Sequence, residues 1–168
     1  MYCRGNPIKY SDPSEYKIEI TGDKVSICKA IQKLTNSKIG IDLFELAINW
    51  KYTVTITTNK NITKKGTAGP TEGGNYSIEL NLDLIDKKKS SAAATLGHEF
   101  DHFWQYFYQF NQEHTQEADD ANEKHAYGWE NKIRKELGLP SYQEEALFNK
   151  YGPSMYIQYV EKKDMTKI

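Results

Sequence analysis

The chain has 168 residues, of which 38% are hydrophobic and 27% charged. That is the length of one ordinary domain, with enough apolar residues for a core, and its apolar runs are far too short for a membrane-spanning helix. Twenty-two Lys and Arg against 23 Asp and Glu leave a net charge of −1, so neither nucleic acid nor an anionic membrane surface is the expected partner.

Residues 1–16, rich in Pro, Gly, Asn, Ser and Asp, read as a turn-filled lead-in, and 17–168 as the domain proper. The first seven residues hold no apolar core of a signal peptide, so none is expected. A short strand is predicted at 17–20. Helical spacing of Ile27, Ile31 and Leu34 predicts a helix over 24–34, and Leu43, Phe44 and Ala47 place a second over 41–50. Residues 52–57 alternate Val54 and Ile56 with threonines, as a half-buried strand does. Glycines and a proline crowd 66–75, which reads as a mobile loop. The stretch 76–84 alternates strictly, predicting one strand with Ile78, Leu80, Leu82 and Leu84 on one face. Long helices follow at 90–109 and 115–137, the second ended by Gly138 and Pro140. Short helices are expected over 142–159. The order of elements predicts an α+β domain. Cys3 and Cys28 make no disulfide framework and fit no metal spacing; a buried reduced Cys28 with an exposed Cys3 is expected, a single bridge between them being the alternative.

All four histidines fall between positions 98 and 125. Two of them form His98-Glu99-Phe100-Asp101-His102, an H-E-x-x-H. On a helix, residues four apart share a face, so both imidazoles can bind one Zn²⁺ while Glu99 reaches a water that the ion acidifies to a pKa of roughly 7. Glu99 then serves as general base. Leu96, Phe100, Phe103 and Phe107 form an apolar stripe on the same helix, and at about 100° per residue the two histidines lie away from it. Small residues at 91–94 and Gly97 leave room for a strand or substrate to come close. The plain alternative is a surface helix that carries two histidines by chance.

A catalytic zinc takes three protein ligands and keeps one position open. The metzincin extension would need Gly at 105 and His at 108, where this chain has Gln105 and Tyr108. Candidates for the third ligand are His114, Glu117, Asp119, Asp120, Glu123 and His125. Glu123 lies far enough after His102 for the chain to turn back along the first helix. Its setting, Asn122-Glu123-Lys124-His125-Ala126, is similar to the N-E-x-x-S/A stretch that supplies the third ligand in glutamate zincins. That resemblance makes Glu123 the leading choice, with His125 its main competitor and a solvated carboxylate the alternative.

The resemblance extends further. Gly97-His98-Glu99, Glu123 to Ala126, Glu130-Asn131-Lys132-Ile133-Arg134 and Glu136-Leu137-Gly138-Leu139-Pro140 together resemble the NleD-like effector and toxin metallopeptidases, as does Gly40-Ile41-Asp42-Leu43-Phe44. In the lead-in, Asn6-Pro7-Ile8-Lys9-Tyr10-Ser11-Asp12-Pro13-Ser14 resembles the signature closing the core of RHS-repeat proteins ahead of their C-terminal toxin domains. These resemblances imply a zincin-like fold, with a small antiparallel or mixed sheet packed on the active-site helix and a second, ligand-bearing helix. They imply a zinc endopeptidase with His98, His102 and Glu123 on the metal and Glu99 as the catalytic base. Its substrate would be a protein inside a target cell, reached by secretion or delivery on an RHS-type carrier. A cognate immunity protein is a candidate partner, nucleic acid and membrane are not, and a monomer is expected.

Lesser features carry alternatives. The 76–84 strand is either an edge that aligns a peptide or an internal core strand. Tyr127, Tyr142 and Tyr151 are candidate oxyanion donors. Asp101 either orients a zinc histidine or is exposed. Lys87-Lys88-Lys89 is a solvated linker or a docking patch for acidic substrate. Two rival functions are a hydrolase of a non-peptide bond, and a metal-free interaction module or pseudoenzyme that docks through the aromatic helix 100–110.

Overall fold

A computed structural model describes residues 18–87 and 91–141. The RHS-like lead-in, Cys3, most of the lysine run, Tyr142, Tyr151 and the short helices expected over 142–159 lie outside the described residues.

Among the described residues the domain is α+β, with a four-stranded mixed sheet and five α-helices. Strand β1 (Ile18–Ile20) leads to α1 (Lys24–Leu34) and α2 (Lys38–Ile48), then β2 (Val54–Thr58), β3 (Gly66–Pro70) and β4 (Tyr76–Leu80). Helices α3 (Leu82–Lys87), α4 (Ala92–Phe107) and α5 (Gln116–Glu136) complete it. The sheet order is β1-β2-β4-β3; β1, β2 and β4 run parallel, and β3 is antiparallel to β4 at one edge. All five α-helices start on side-chain caps: Asp23, Ser37, Asn81, Ser91 and Thr115 each accept a backbone N–H three residues on. Helix α5 ends as its sequence suggests. Gly138 sits at φ 66°, and Leu139 N–H donates to Arg134 C=O at 2.8 Å, closing the last turn.

The core lies where α4 crosses the sheet and the other helices. Leu96, Phe100 and Phe103 are fully buried, Phe100 edge-on to Phe44 of α2 and Phe103 edge-on to Tyr76 of β4. Trp104 and Phe110 are buried too, so the aromatic run 100–110 is mostly core, and only Tyr108 stands out among its rings as exposed.

Four expectations are corrected. The glycine-rich 66–70 stretch is a strand, because pairing with β4 from Gly66–Leu80 to Pro70–Tyr76 overrides its weak propensity. The alternation of 76–84 breaks at Asn81, whose Oδ1 accepts from Leu84 N–H and starts α3; Ile85 is then buried, while Leu82 and Leu84 are only partly so. Gly97 admits no strand or substrate. A Cβ there would meet Ile133 Cδ1 at 2.6 Å, so the missing side chain lets α5 close onto α4. Cys28 is disulfide-bonded rather than reduced, and half-buried rather than buried.

Candidate metal centre

Helices α4 and α5 are joined by a tight reversal in which Gln109 and Asn111 take positive φ. Asn122 Nδ2 donates to Asn111 C=O at 3.3 Å and ties the turn to α5. The two helices therefore run side by side, and the middle of α5 passes the motif on α4.

His98, His102 and Glu123 meet there. The two Nε2 atoms are 3.2 Å apart, and the Glu123 carboxylate faces both, its Oε2 3.5 Å from His98 Nε2 and its Oε1 3.5 Å from His102 Nε2. Donors bound about 2.0–2.1 Å from a tetrahedral ion stand about 3.3 Å from one another. The two ring nitrogens thus stand at nearly that spacing, with a carboxylate oxygen close to it from each. Of the other third-ligand candidates, His114, Glu117 and Asp119 are exposed and outside this group, as is the half-buried Asp120. His125 is fully buried elsewhere, its Nδ1 2.7 Å from Asp101 Oδ2 and its ring stacked on Trp104.

The electrostatics favour positive charge at this point. Burial opposes a charged His98, yet Glu123, Glu130 and Glu99 together drive its pKa well up. Burial would raise Glu123, but the two imidazoles overcome it and hold that carboxyl far below the usual range. Glu99 is pushed up, chiefly by burial, with His98 and His102 pulling the other way. A divalent cation meets the same demand as a proton on these rings, and the N₂O donor set suits zinc.

No family model matches the chain, and neither does any curated protein or solved structure. The chemistry of the site therefore carries the functional reading.

The triad opens into a cleft of about 960 Å³, bordered on one side by α4 and α5 and on the other by β3 and the segment before it. Glu99 lines this cleft with its carboxyl packed on Gly66: a Cβ at Gly66 would lie 2.4 Å from Glu99 Oε1. Tyr127 also lines it, with its ring edge-on to His98 at 4.6 Å, and so remains a candidate donor to an oxyanion. Strand β4 is internal, so the alternative of a core strand holds for it; the edge facing the cleft is β3.

Both imidazoles have a partner behind them. Glu130 Oε2 stands 3.2 Å from His98 Nδ1 in an ion-pair contact, and its Oε1 accepts from Arg134 Nε and Nη2 at 3.0 and 2.8 Å. His102 Nδ1 lies 3.3 Å from Gln105 Oε1. Asp101 is neither exposed nor on a zinc histidine. It is buried and bonded to His125 and Gln105.

In the sequence Glu130 appears only within the Glu130–Arg134 stretch of the resemblance; its seven-residue offset from Glu123, two helical turns, was the signal that puts it on the same face. Gln105 drew notice only as the residue that breaks the metzincin pattern. Gly66 was hidden in a presumed loop.

Proposed function

We propose that the protein is a zinc-dependent endopeptidase with a zincin-like active site of the glutamate type. The observation that carries this is the convergence of His98 Nε2 and His102 Nε2, 3.2 Å apart, on the Glu123 carboxylate, whose Oε2 and Oε1 lie 3.5 Å from the first and the second ring nitrogen. When bound, Zn²⁺ supplies Lewis acidity that acidifies a water molecule and polarises a carbonyl. His98, His102 and Glu123 hold the ion and leave one side open to the cleft. Glu99 takes the proton from the attacking water and passes it to the leaving amine as the C–N bond breaks. Glu130 and Gln105 keep the two rings aimed.

The edge strand supports a peptide as the substrate. Among the described residues β3 pairs with β4 on one side only and borders the cleft, so its outer side offers backbone groups to an extended chain. The substrate class of a protein in a target cell, delivery or secretion on an RHS-type carrier, and an immunity partner follow from the sequence resemblance alone. The burial of Phe100, Phe103, Trp104 and Phe110 counts against the rival docking surface.

Metal analysis tests the reading. Wild-type protein should hold about one zinc per chain, and His98→Ala should lose it. Glu99→Gln should keep the zinc and lower peptide hydrolysis by about 10²–10⁴-fold, the usual share of a general base. Full hydrolysis by Glu99→Gln would remove Glu99 from the mechanism, and a folded wild type that takes up no zinc would remove the metal.

A further inference from the structure

Behind His102 lies a buried chain of polar side chains in which each bond fixes the next, and it leads away from the cleft. At its far end Trp129 Nε1 stands 3.0 Å from His125 Nε2. An indole N–H only donates, so His125 Nε2 accepts and its proton sits on Nδ1. That Nδ1–H donates to Asp101 Oδ2 at 2.7 Å. Asp101 Oδ2 is also 2.6 Å from the Gln105 amide, and the same amide end lies 2.9 Å from Asn122 C=O. A carboxylate and a carbonyl both accept, so only the NH₂ group of Gln105 satisfies both. The amide cannot be turned round. Gln105 Oε1 must therefore face His102 Nδ1, 3.3 Å away.

An amide oxygen only accepts. His102 must then carry its proton on Nδ1, which leaves the Nε2 lone pair pointing at His98 Nε2 and Glu123. From this we infer that Gln105 is a positioning residue that selects the metal-binding tautomer of His102, held in that orientation by Asp101, Asn122 and the His125–Trp129 pair. The inference rests on the metal reading above, but it concerns the protein's own protons. It also gives a role to two features left over from the sequence: the Asp inside the motif, and the histidine that competes with Glu123 as ligand. His125 serves the metal site through Asp101 and Gln105 without touching the ion.

Two measurements test it. Long-range ¹H–¹⁵N spectra of the metal-free wild type, recorded where imidazoles are uncharged, should show His102 as the Nδ1–H tautomer, although free imidazole side chains in water favour Nε2–H. An Nε2–H signal for His102 overturns the inference. Gln105→Met, close in volume but unable to accept, should move His102 toward Nε2–H and weaken zinc binding about 10–100-fold in chelator competition. Unchanged zinc affinity in folded Gln105→Met also overturns it, while loss of zinc from His98→Ala in the same assay would leave the metal reading intact. If the wild type itself takes up no zinc, the metal reading fails, and the tautomer spectrum, which needs no ion, still decides the role of Gln105.

Discussion

The two walls of the cleft are built on opposite principles. On the helical wall, α4 and α5 bring long polar side chains into a buried layer, and the groups behind the imidazoles are themselves held: Glu130 by Arg134, Gln105 by Asp101 and Asn122. On the sheet wall, β3 offers almost no side chain. Its residues are Gly66, Thr67, Ala68, Gly69 and Pro70, all small or short, and all five line the cleft. Under the proposed function, the difference follows from what each wall would have to do. Lone pairs must converge on one point within a few tenths of an ångström, which needs rigid helices and a second layer of bonds. An extended partner needs an unobstructed edge, which needs small residues.

The helical wall should be broken most severely through its buried ion pair. Arg134 and Glu130 are 6% and 2% exposed, and Arg134→Met leaves the Glu130 carboxylate in the interior without its guanidinium, with only His98 beside it. The expected loss is about 3–5 kcal/mol, read as a lower urea midpoint at unchanged slope. Replacing both members, Glu130→Gln with Arg134→Met, should recover much of it, since an unpaired buried charge costs more than no charge at all. Recovery of nothing would mean that packing by the arginine stem, rather than charge, is what matters there.

The sheet wall should fail in a different way. At Gly66 an added Cβ meets the end of a flexible side chain, Glu99 Oε1 at 2.4 Å and Cδ at 2.8 Å. The carboxyl can swing aside, so Gly66→Ala should cost the fold little and leave zinc uptake unchanged. The displaced base should nonetheless lower peptide hydrolysis by about 10²-fold, the usual penalty for a misplacement of about 1 Å. Parallel melting curves, zinc content and turnover of Gly66→Ala would show this split. A variant that loses zinc or stability along with turnover would place Gly66 in the scaffold instead.

The same contrast explains what was legible in the sequence. Helices α4 and α5 announce themselves: Leu96, Phe100 and Phe103 mark one face of α4, His98 and His102 another, and Gly138 marks the end of α5. Glu123 could be narrowed to a few acidic and histidine residues by chain length, but its selection rested on resemblance, because periodicity does not say which turn of α5 passes the motif. The sheet wall was read wrongly. Gly66 to Pro70 has poor strand propensity, and its conformation comes from pairing with β4, a long-range event that no local window contains. Strand β4 was read too long because Asn81 looks like one more polar position in an alternating run. Its role as the cap of α3 depends on Lys60 and Ile62, whose carbonyls accept from its amide at 3.1 and 2.8 Å. The polar layer behind His102 was invisible for a related reason: Asp101, Gln105 and His125 become partners only once two helices lie side by side.

That side-by-side contact can itself be tested at Gly97, where the helical wall depends, like the sheet wall, on a missing side chain. Alanine is the better helix former by about 1 kcal/mol, so at an open position Gly97→Ala would stabilise α4. Here the new Cβ would lie 2.6 Å from Ile133 Cδ1 and 3.2 Å from Leu34 Cδ1, and both neighbours are fully buried with little room to retreat. Overpacking of this kind costs about 1–3 kcal/mol and should outweigh the propensity gain, giving a net loss of up to about 2 kcal/mol in urea unfolding. Ile133→Val removes the very carbon that obstructs. In a double-mutant cycle the pair should therefore be more stable than the sum of the single effects predicts, by about 0.5 kcal/mol or more. Simple additivity would mean that α5 shifts bodily to accommodate the methyl group; in that case zinc affinity should fall as well, because Glu123 would move with the helix.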